Sequence, residues 1–317
     1  MDPITQQTVL AAAGAGGDKV YVDDVFSTYV YEGTGSAQTI TNGIDLAGEG
    51  GLVWFKTRAR GSGDFYCNHF LYDSERGLTT TSYLHSNNTD SQGASGTLSP
   101  APTFLSNGFT TAGGTSLNNE TYASWTFRKA PGFFDVVTYS GSSSVQTIPH
   151  SLGSEPGMIL IKNLTTSIWW GVYHRSLATD KYLRLNESAG ELTSTAVWNQ
   201  TRPTATEFTV GVNGQVSGAG NNFVAYIFAH DDAQFGTDED ESIIKCGSFT
   251  HSTSSGNEIN LGFEPQWLIY KKSSGPSDPD SDWYMWDTMR GWSVTSQSHL
   301  IASESNAEST GSNTGAG

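Results

Sequence analysis

Apolar and polar residues alternate in short bursts along this chain, and the bursts return in the same order. Phe26–Tyr31 and Phe134–Tyr139 mix β-branched and aromatic residues. Leu52–Phe55, Met158–Ile161 and Trp267–Tyr270 are continuous apolar runs bounded by Gly or Pro and by Lys. Runs this short, bounded in this way, predict strands buried on both faces. Tyr122–Phe127 predicts a strand with Ala123, Trp125 and Phe127 on one face and Tyr122, Ser124 and Thr126 on the other. Gly33 and Gly35, Asn42-Gly43, Asn107-Gly108 and Asn213-Gly214 suit turns that need positive φ. No long stretch follows the helical period. Only Thr5–Ala13, behind Pro3, has fair helix propensity, and Gly14–Gly17 would end it.

The order of these bursts reveals a repeat, which decides the architecture. Phe26–Ile40 (FSTYVYEGTGSAQTI) aligns without a gap on Phe134–Ile148 (FDVVTYSGSSSVQTI). Leu152–Lys162 (LGSEPGMILIK) aligns on Leu261–Lys271 (LGFEPQWLIYK), and Gly51–Lys56 (GLVWFK) is the equivalent strand in the first copy. A second block follows each: Leu71–Gly77 (LYDSERG), Val172–Ala178 (VYHRSLA) and Met285–Gly291 (MWDTMRG). A closing block spans Gly108–Phe127 in copy one and Glu207–Phe228 in copy two, and copy three has none before Gly317. A sheet without its last strands exposes a raw edge, so continuation of the chain beyond residue 317 is expected, with cover from another subunit as the alternative.

The predicted organisation is an N-terminal segment 1–25, repeats at 26–132 and 133–230, an acidic linker 231–242, and an incomplete repeat 243–317. Many short strands in roughly a hundred residues with no helix between them predict an all-β chain of tandem β-sandwiches, jelly-roll or lectin-like.

Composition agrees. Gly is abundant at 36 residues, aromatics make 12% of the chain and charged residues only 15%, against about 25% charged in an average soluble domain. The net charge of −16 argues against nucleic acid and against an anionic membrane as partner. No stretch is long and apolar enough to insert in a membrane. Met1–Ile4 carries no basic region of the kind that opens a signal peptide. Cys67 and Cys246 fall at unlike places in the repeat and read as buried apolar residues rather than a disulfide.

Chemistry is sparse. No HExxH, GxSxG or P-loop pattern occurs, and Gly14–Gly17 lacks the preceding strand of a nucleotide loop. His230 reads as a residue at a repeat edge. No catalytic residue and no cofactor is assigned. Asp278, Asp280 and Asp282 have the alternating spacing of a calcium loop, but Trp283 and Met289 stand where an EF-hand needs Gly and an acid. They form a weak calcium candidate. Tyr72, Tyr173 and Trp286 recur at one repeat position, a core signature, whereas Trp169 and Trp283 do not recur and are the candidates for ligand contact. Asp73 with Arg76, and Asp287 with Arg290, predict an ion pair closing a turn in copies one and three; copy two has His174 and Leu177 there.

The order GLVWFK, LYDSERG, YASWTFRKAPGFFDVVTYSG, HSLGSEPGMILIK, VYHRSL and FAHDDAQFGTDEDESIIKCGSF resembles a repeat of tail fibre-like virion proteins of marine and cyanobacterial tailed phages. The resemblance covers about residues 20–300. It implies a virion component, a non-enzymatic tail fibre or adhesin subunit made in the host cytoplasm, and supplies no catalytic residues. Residues 1–25 would attach it to other tail or head proteins, and its β domains would meet a host-surface glycan or protein. A virion role without receptor binding and an enzyme degrading surface polysaccharide are the alternatives. A homo-oligomer, a trimer, is expected, because fibres are commonly threefold and cyclic packing would cover apolar faces and sheet edges.

Overall fold

A computed structural model describes residues 19–59, 65–111, 118–252, 257–275, 281–292 and 296–312. Strand accounts for 35% and helix for 7%, and several separate antiparallel sheets form without a barrel. The chain is all-β, a set of tandem sandwich repeats.

In the first repeat, β1 (Phe26–Thr34), β3 (Gly51–Thr57), β4 (Phe70–Asp73) and β7 (Asn118–Arg128) form a sheet in the order β1-β7-β3-β4. Three shorter strands, β2 (Thr39–Thr41), β5 (Thr103–Leu105) and β6 (Gly108–Thr110), make the second layer. The second repeat repeats the plan. β8 (Phe134–Ser140), β10 (Met158–Asn163), β11 (Gly171–His174) and β15 (Asn222–Phe228) form the sheet β8-β15-β10-β11. It is covered by the pairs β9 (Gln146–Pro149) with β14 (Glu207–Val210) and β12 (Lys181–Tyr182) with β13 (Leu192–Thr193). The registers coincide: Leu52 pairs with Phe127 as Met158 pairs with Phe228, and Lys56 faces Ala123 as Lys162 faces Val224.

The third repeat departs from this plan. Its sheet runs β16 (Trp267–Tyr270), β17 (Tyr284–Asp287), β18 (Ser296–Ile301), β19 (Ser309–Ser312). β16 and β17 match β3 and β4, but β16 ends the sheet where a closing strand stands in the other two.

Strict alternation explains the two cores of each complete repeat. One face of the first sheet, with Val53, Phe55, Phe70, Tyr72 and Tyr122, packs under Ile40, Phe104 and Phe109 of its small sheet. Ile159, Ile161 and Tyr173 of the second repeat pack in the same way against Ile148 and Phe208. The opposite faces of all three sheets meet in one common core. There Leu52, Trp54, Leu71, Leu84 and Trp125 join Met158, Leu160, Val172, Leu183 and Tyr226, and Met285 and Leu300. The repeats are therefore not independent beads. At about 25 cal/mol per Å² of apolar surface, this shared core ties them into one body.

A ring of hydrogen bonds closes the arrangement. Trp170 Nε1 donates to His85 O at 2.9 Å, from repeat two to repeat one. Trp283 Nε1 donates to Arg184 O at 2.8 Å, from three to two. His69 Nε2 lies 3.0 Å from Ile301 O, from one to three. His69, Trp170 and Trp283 each stand one residue before β4, β11 and β17 or at their threshold, two positions ahead of Leu71, Val172 and Met285. Their acceptors, His85, Arg184 and Ile301, each follow the leucine that bridges to or pairs with the equivalent strand of the acceptor's own repeat: Leu84 with β4, Leu183 with β11 and Leu300 with β17. Trp54 Nε1 donates to His69 Nδ1 at 2.9 Å, which leaves Nε2 to carry the proton toward Ile301 O. Burial holds this imidazole well below its usual pKa.

The acidic stretch 231–242 is anchored rather than a free tether. Phe235 is buried in the common core and bridges to Glu241, and Gly236 N–H donates to Val20 O at 3.0 Å. The N-terminal segment also ends inside the fold: a one-turn helix α1 (Val22–Val25) buries Val25 completely, and Val20 and Val22 pack on the core. The helix expected over Thr5–Ala13 lies outside the described residues. Both cysteines are free thiols. Cys246 N–H donates to His230 Nδ1 at 3.0 Å, which gives that histidine a structural partner.

Candidate functional site

The seam between repeats two and three collects the polar groups that the common core excludes. Alternation separates the adjacent tryptophans before β11. Trp170 turns into the core, and Trp169 remains 37% exposed. Arg184 lays its guanidinium over the Trp169 ring, 3.8 Å from the centroid, a cation–π contact. The same guanidinium pairs with Glu187 at 3.0 Å. The Arg184 carbonyl is the acceptor of Trp283 Nε1. One residue thus links the two tryptophans singled out by the sequence, in unlike roles: Trp169 on the surface, Trp283 only 4% exposed and hydrogen-bonded into the seam.

Asp282 stands beside Trp283 and accepts the Ser303 hydroxyl at 2.9 Å. Asp282, Ser303 and Glu304 face Asn186, Glu187, Ser188 and Ala189 across a cleft of about 390 Å³. Burial, and then Asp282, push the Glu304 carboxyl above its ordinary range. Beneath the cleft, Lys271 Nζ donates to Glu187 O at 3.0 Å and to Ser281 O. Burial lowers this amine to about 8.

Lys271 belongs to a repeated set. Lys56 and Lys162 stand one residue before the ends of β3 and β10, Lys271 directly follows β16, and all three amines reach backbone carbonyls. Lys162 Nζ donates to Thr89 O at 2.8 Å and to Ile168 O, and Lys56 Nζ to Thr57 O at 2.7 Å. Burial lowers Lys162 to about 7 and Lys56 to about 8. Lys162 and Lys271 satisfy carbonyls of the preceding repeat, at Thr89 and Glu187, and Lys56 that of Thr57 in its own repeat.

Asp278 and Asp280 lie outside the described residues. Asp282 is held by Ser303, and among the described residues no group of three His, Cys, Asp or Glu side chains could hold a metal ion. Asp73 pairs with Arg76, and Asp287 with Arg290, each at 2.5 Å and each fully buried. They close the turns after β4 and β17, away from the cleft.

Sequence reasoning did not single out Arg184, Glu187, Ser303 or Glu304. The signal was a third repeated block: Tyr83-Leu84, Tyr182-Leu183 and His299-Leu300 stand in register, and the cleft residues follow the last two.

Chemically, the cleft offers carboxylate and hydroxyl oxygens beside an aromatic–guanidinium stack. That set can accept hydrogen bonds from a ligand rich in hydroxyl groups.

Among known proteins, one family model matches residues 22–316; it is described as a domain of unknown function, DUF7483. The match takes in all three repeats. No curated protein and no solved structure matches the chain.

Proposed function

The chain belongs to the DUF7483 family, and from the seam geometry we propose that it is a non-enzymatic adhesin or tail fibre subunit of a phage virion that binds a host-surface glycan. The observation that carries the reading is the cleft between repeats two and three, lined by Glu187, Asp282 and Glu304, with Glu187 paired to the Arg184 guanidinium that stacks on Trp169. Carboxylates taking sugar hydroxyls, next to an aromatic face, form a common way of holding a carbohydrate. The resemblance supplies no catalytic residues, which supports binding over glycoside hydrolysis. The resemblance to tail fibre-like repeats supports the virion setting. In that setting the N-terminal segment meets other tail or head proteins, and three chains assemble side by side.

A glycan array with the purified chain, beside a Trp169→Ala variant, tests the reading. Selective glycan binding that disappears in the variant supports it, and no binding to any bacterial surface glycan rejects it. Release of reducing ends from a bound polysaccharide would indicate an enzyme. Labelling of particles with antibody against the chain tests the virion placement.

A second reading is a virion structural protein without receptor role. The closed ring of inter-repeat bonds through His69, Trp170 and Trp283 favours it, because such closure makes a stiff spacer. Particle labelling combined with a blank array would select this reading.

A further inference from the structure

The three links of the inter-repeat ring are not chemically alike. Trp170 and Trp283 donate to His85 O and Arg184 O from indole nitrogens, which are donors only. His69 supplies the third link, to Ile301 O at 3.0 Å. Its partner on the strand is exchanged as well. Trp54 stands where β10 and β16 have Leu160 and Ile269. Repeats two and three thus place an aliphatic residue on the strand and an indole directly before the next one. Repeat one places the indole on the strand and an imidazole before the next. Ser86 likewise stands where the other repeats have Leu185 and Ala302, and its hydroxyl donates to Ala302 O at 2.6 Å.

Both nitrogens of His69 are committed. Nδ1 accepts from Trp54 Nε1 at 2.9 Å and Nε2 donates to Ile301 O, so the site fits the neutral ring in one tautomer. A second proton would have to sit on Nδ1, where it meets the Trp54 indole N–H, and two donors would then face each other with no acceptor between them. The ring is completely buried, so water does not relieve the conflict. The charges around it add to the opposition. Lys56 faces it from β3, Arg290 from the turn after β17, and His85 from the segment that bridges to β4. Asp287, the carboxylate paired with Arg290, is also engaged by Trp125 of β7. On β18, which supplies the acceptor, the imidazole of His299 packs on Tyr284 and Trp286.

The seam that His69 holds joins repeats that are not consecutive. Repeats one and two are continuous through residues 129–133, and repeats two and three through 229–243. Repeats one and three meet across space, through the common core, the His69 and Ser86 bonds, the Arg58–Glu308 pair and the Trp125–Asp287 bond. We propose that this seam is an acid-released latch: protonation drives the His69 ring out of its place between Trp54 and Ile301 and parts repeats one and three, while the two seams of repeat two stay closed. His85 is not released with it. Phe65, Phe70 and Tyr83 of its own repeat pack on that ring, and its Nδ1 donates to His69 O inside the same repeat. One proton is therefore coupled to opening, and the ratio of open to closed forms rises about tenfold for each pH unit below about pH 6.5. This inference stands apart from glycan binding between repeats two and three, since neither requires the other.

Indole N–H exchange in the full chain, followed by nuclear magnetic resonance, tests the latch, because each seam carries its own reporter. Trp125 Nε1 donates across the seam of repeats one and three, Trp170 Nε1 across that of one and two, and Trp283 Nε1 across that of two and three. Dividing the Trp125 rate by the Trp170 or Trp283 rate in the same sample removes the intrinsic effect of pH on exchange. That ratio should rise by about tenfold or more between pH 7 and pH 5. The Trp54→Leu/His69→Trp variant carries the residue types of the other two seams and should give a ratio independent of pH. His69→Gln offers an acceptor and a donor that do not titrate, and should give the same flat ratio if the double variant fails to fold. Three results overturn the proposal: a flat ratio in the unaltered chain, equal acceleration at all three indoles, which would mean global unfolding, or an unchanged acid response in a folded variant that lacks His69.

Discussion

Trp125, on the closing strand of repeat one, donates its indole N–H to the carboxylate of Asp287 in repeat three across 3.0 Å. Tyr226 occupies the same place in repeat two and donates to Asp73 of repeat one at 2.7 Å. Each closing strand thus satisfies the buried ion pair of a different repeat. In repeat two no such pair exists, and Leu177 sits buried in the common core where the arginine would be. Pair and donor strand occur together.

This coupling predicts a large penalty for breaking one pair. Asp73→Ala leaves the Arg76 guanidinium buried without its carboxylate, which costs about 3–5 kcal/mol. Tyr226→Phe removes the hydrogen bond to the same carboxylate and the one accepted from Arg76, and should cost about 1–2 kcal/mol. Urea unfolding of both variants and of the Asp73→Leu/Arg76→Leu double variant measures this. The double variant should be less destabilised than Asp73→Ala. Equal losses would mean that the pair does not act as a unit.

The strands, their alternation and the repeat were legible because each depends on local pattern. Ala123, Trp125 and Phe127 face the common core and Tyr122 faces the other core, under the small sheet, as their alternation predicts. The way the repeats close on one another was not legible. It depends on backbone acceptors such as His85 O, Arg184 O and Ile301 O, which carry no side-chain signature. Trp169 and Trp283 looked alike as non-repeating aromatics. Their difference in exposure arises from the seam that Arg184 builds between them.

That difference predicts a separation of functions. Trp169→Ala should change stability by less than about 1 kcal/mol, as expected at a surface position, and should abolish glycan binding. Trp283→Ala should cost about 3–5 kcal/mol, the usual loss for a buried tryptophan, and Trp283→Phe should leave the Arg184 carbonyl unpaired at about 1–2 kcal/mol. Thermal unfolding and array binding of the three variants check both halves. A strongly destabilised Trp169→Ala would remove the surface role.

Stability should fall on the acid side of neutrality. Burial lowers His85 and His174 to about 4 and holds His69 well below the usual value. These imidazoles are neutral in the folded chain, while the unfolded chain takes up protons below about pH 6.5. The unfolded state then binds more protons, so stability present above pH 6.5 is lost as pH falls toward 4. The urea midpoint should drop between pH 7 and pH 5, and His85→Gln should flatten that slope. A midpoint independent of pH in this window would contradict the burial of these rings.

On the alkaline side the lysines act in the opposite direction. Lys162 is lowered to about 7, and Lys56 and Lys271 to about 8. An unfolded lysine holds its proton to about pH 10.4. Between these values the unfolded chain again binds more protons, so stability rises with pH. Above about pH 10 tyrosines ionise in the unfolded chain, while burial keeps Tyr139 and Tyr226 protonated in the folded one, and the trend reverses. The urea midpoint should therefore be higher at pH 9 than at pH 7, and Lys162→Met should reduce the rise.

The N-terminal boundary yields the last prediction. The sequence assigns residues 1–25 to an anchoring segment, yet the fold takes up the end of it. Val25 is completely buried, Val20 and Val22 pack on the common core, and Val20 O receives the Gly236 N–H. Lys19 pairs with Glu239 at 3.1 Å, but both side chains are well exposed, and such a pair contributes little. A chain starting at Lys19 keeps all of these contacts and serves as the reference for a shorter one. A chain starting at Phe26 loses Val20, Val22 and Val25 together. At about 1 kcal/mol or more for each valine according to its burial, it should lose several kcal/mol. Under the proposed attachment role, the Lys19 variant should also fail to enter particles while remaining folded, which separates anchoring from folding. Normal incorporation of that variant would place the attachment surface elsewhere, and equal unfolding of the two truncated chains would show that residues 19–25 do not belong to the cooperative core.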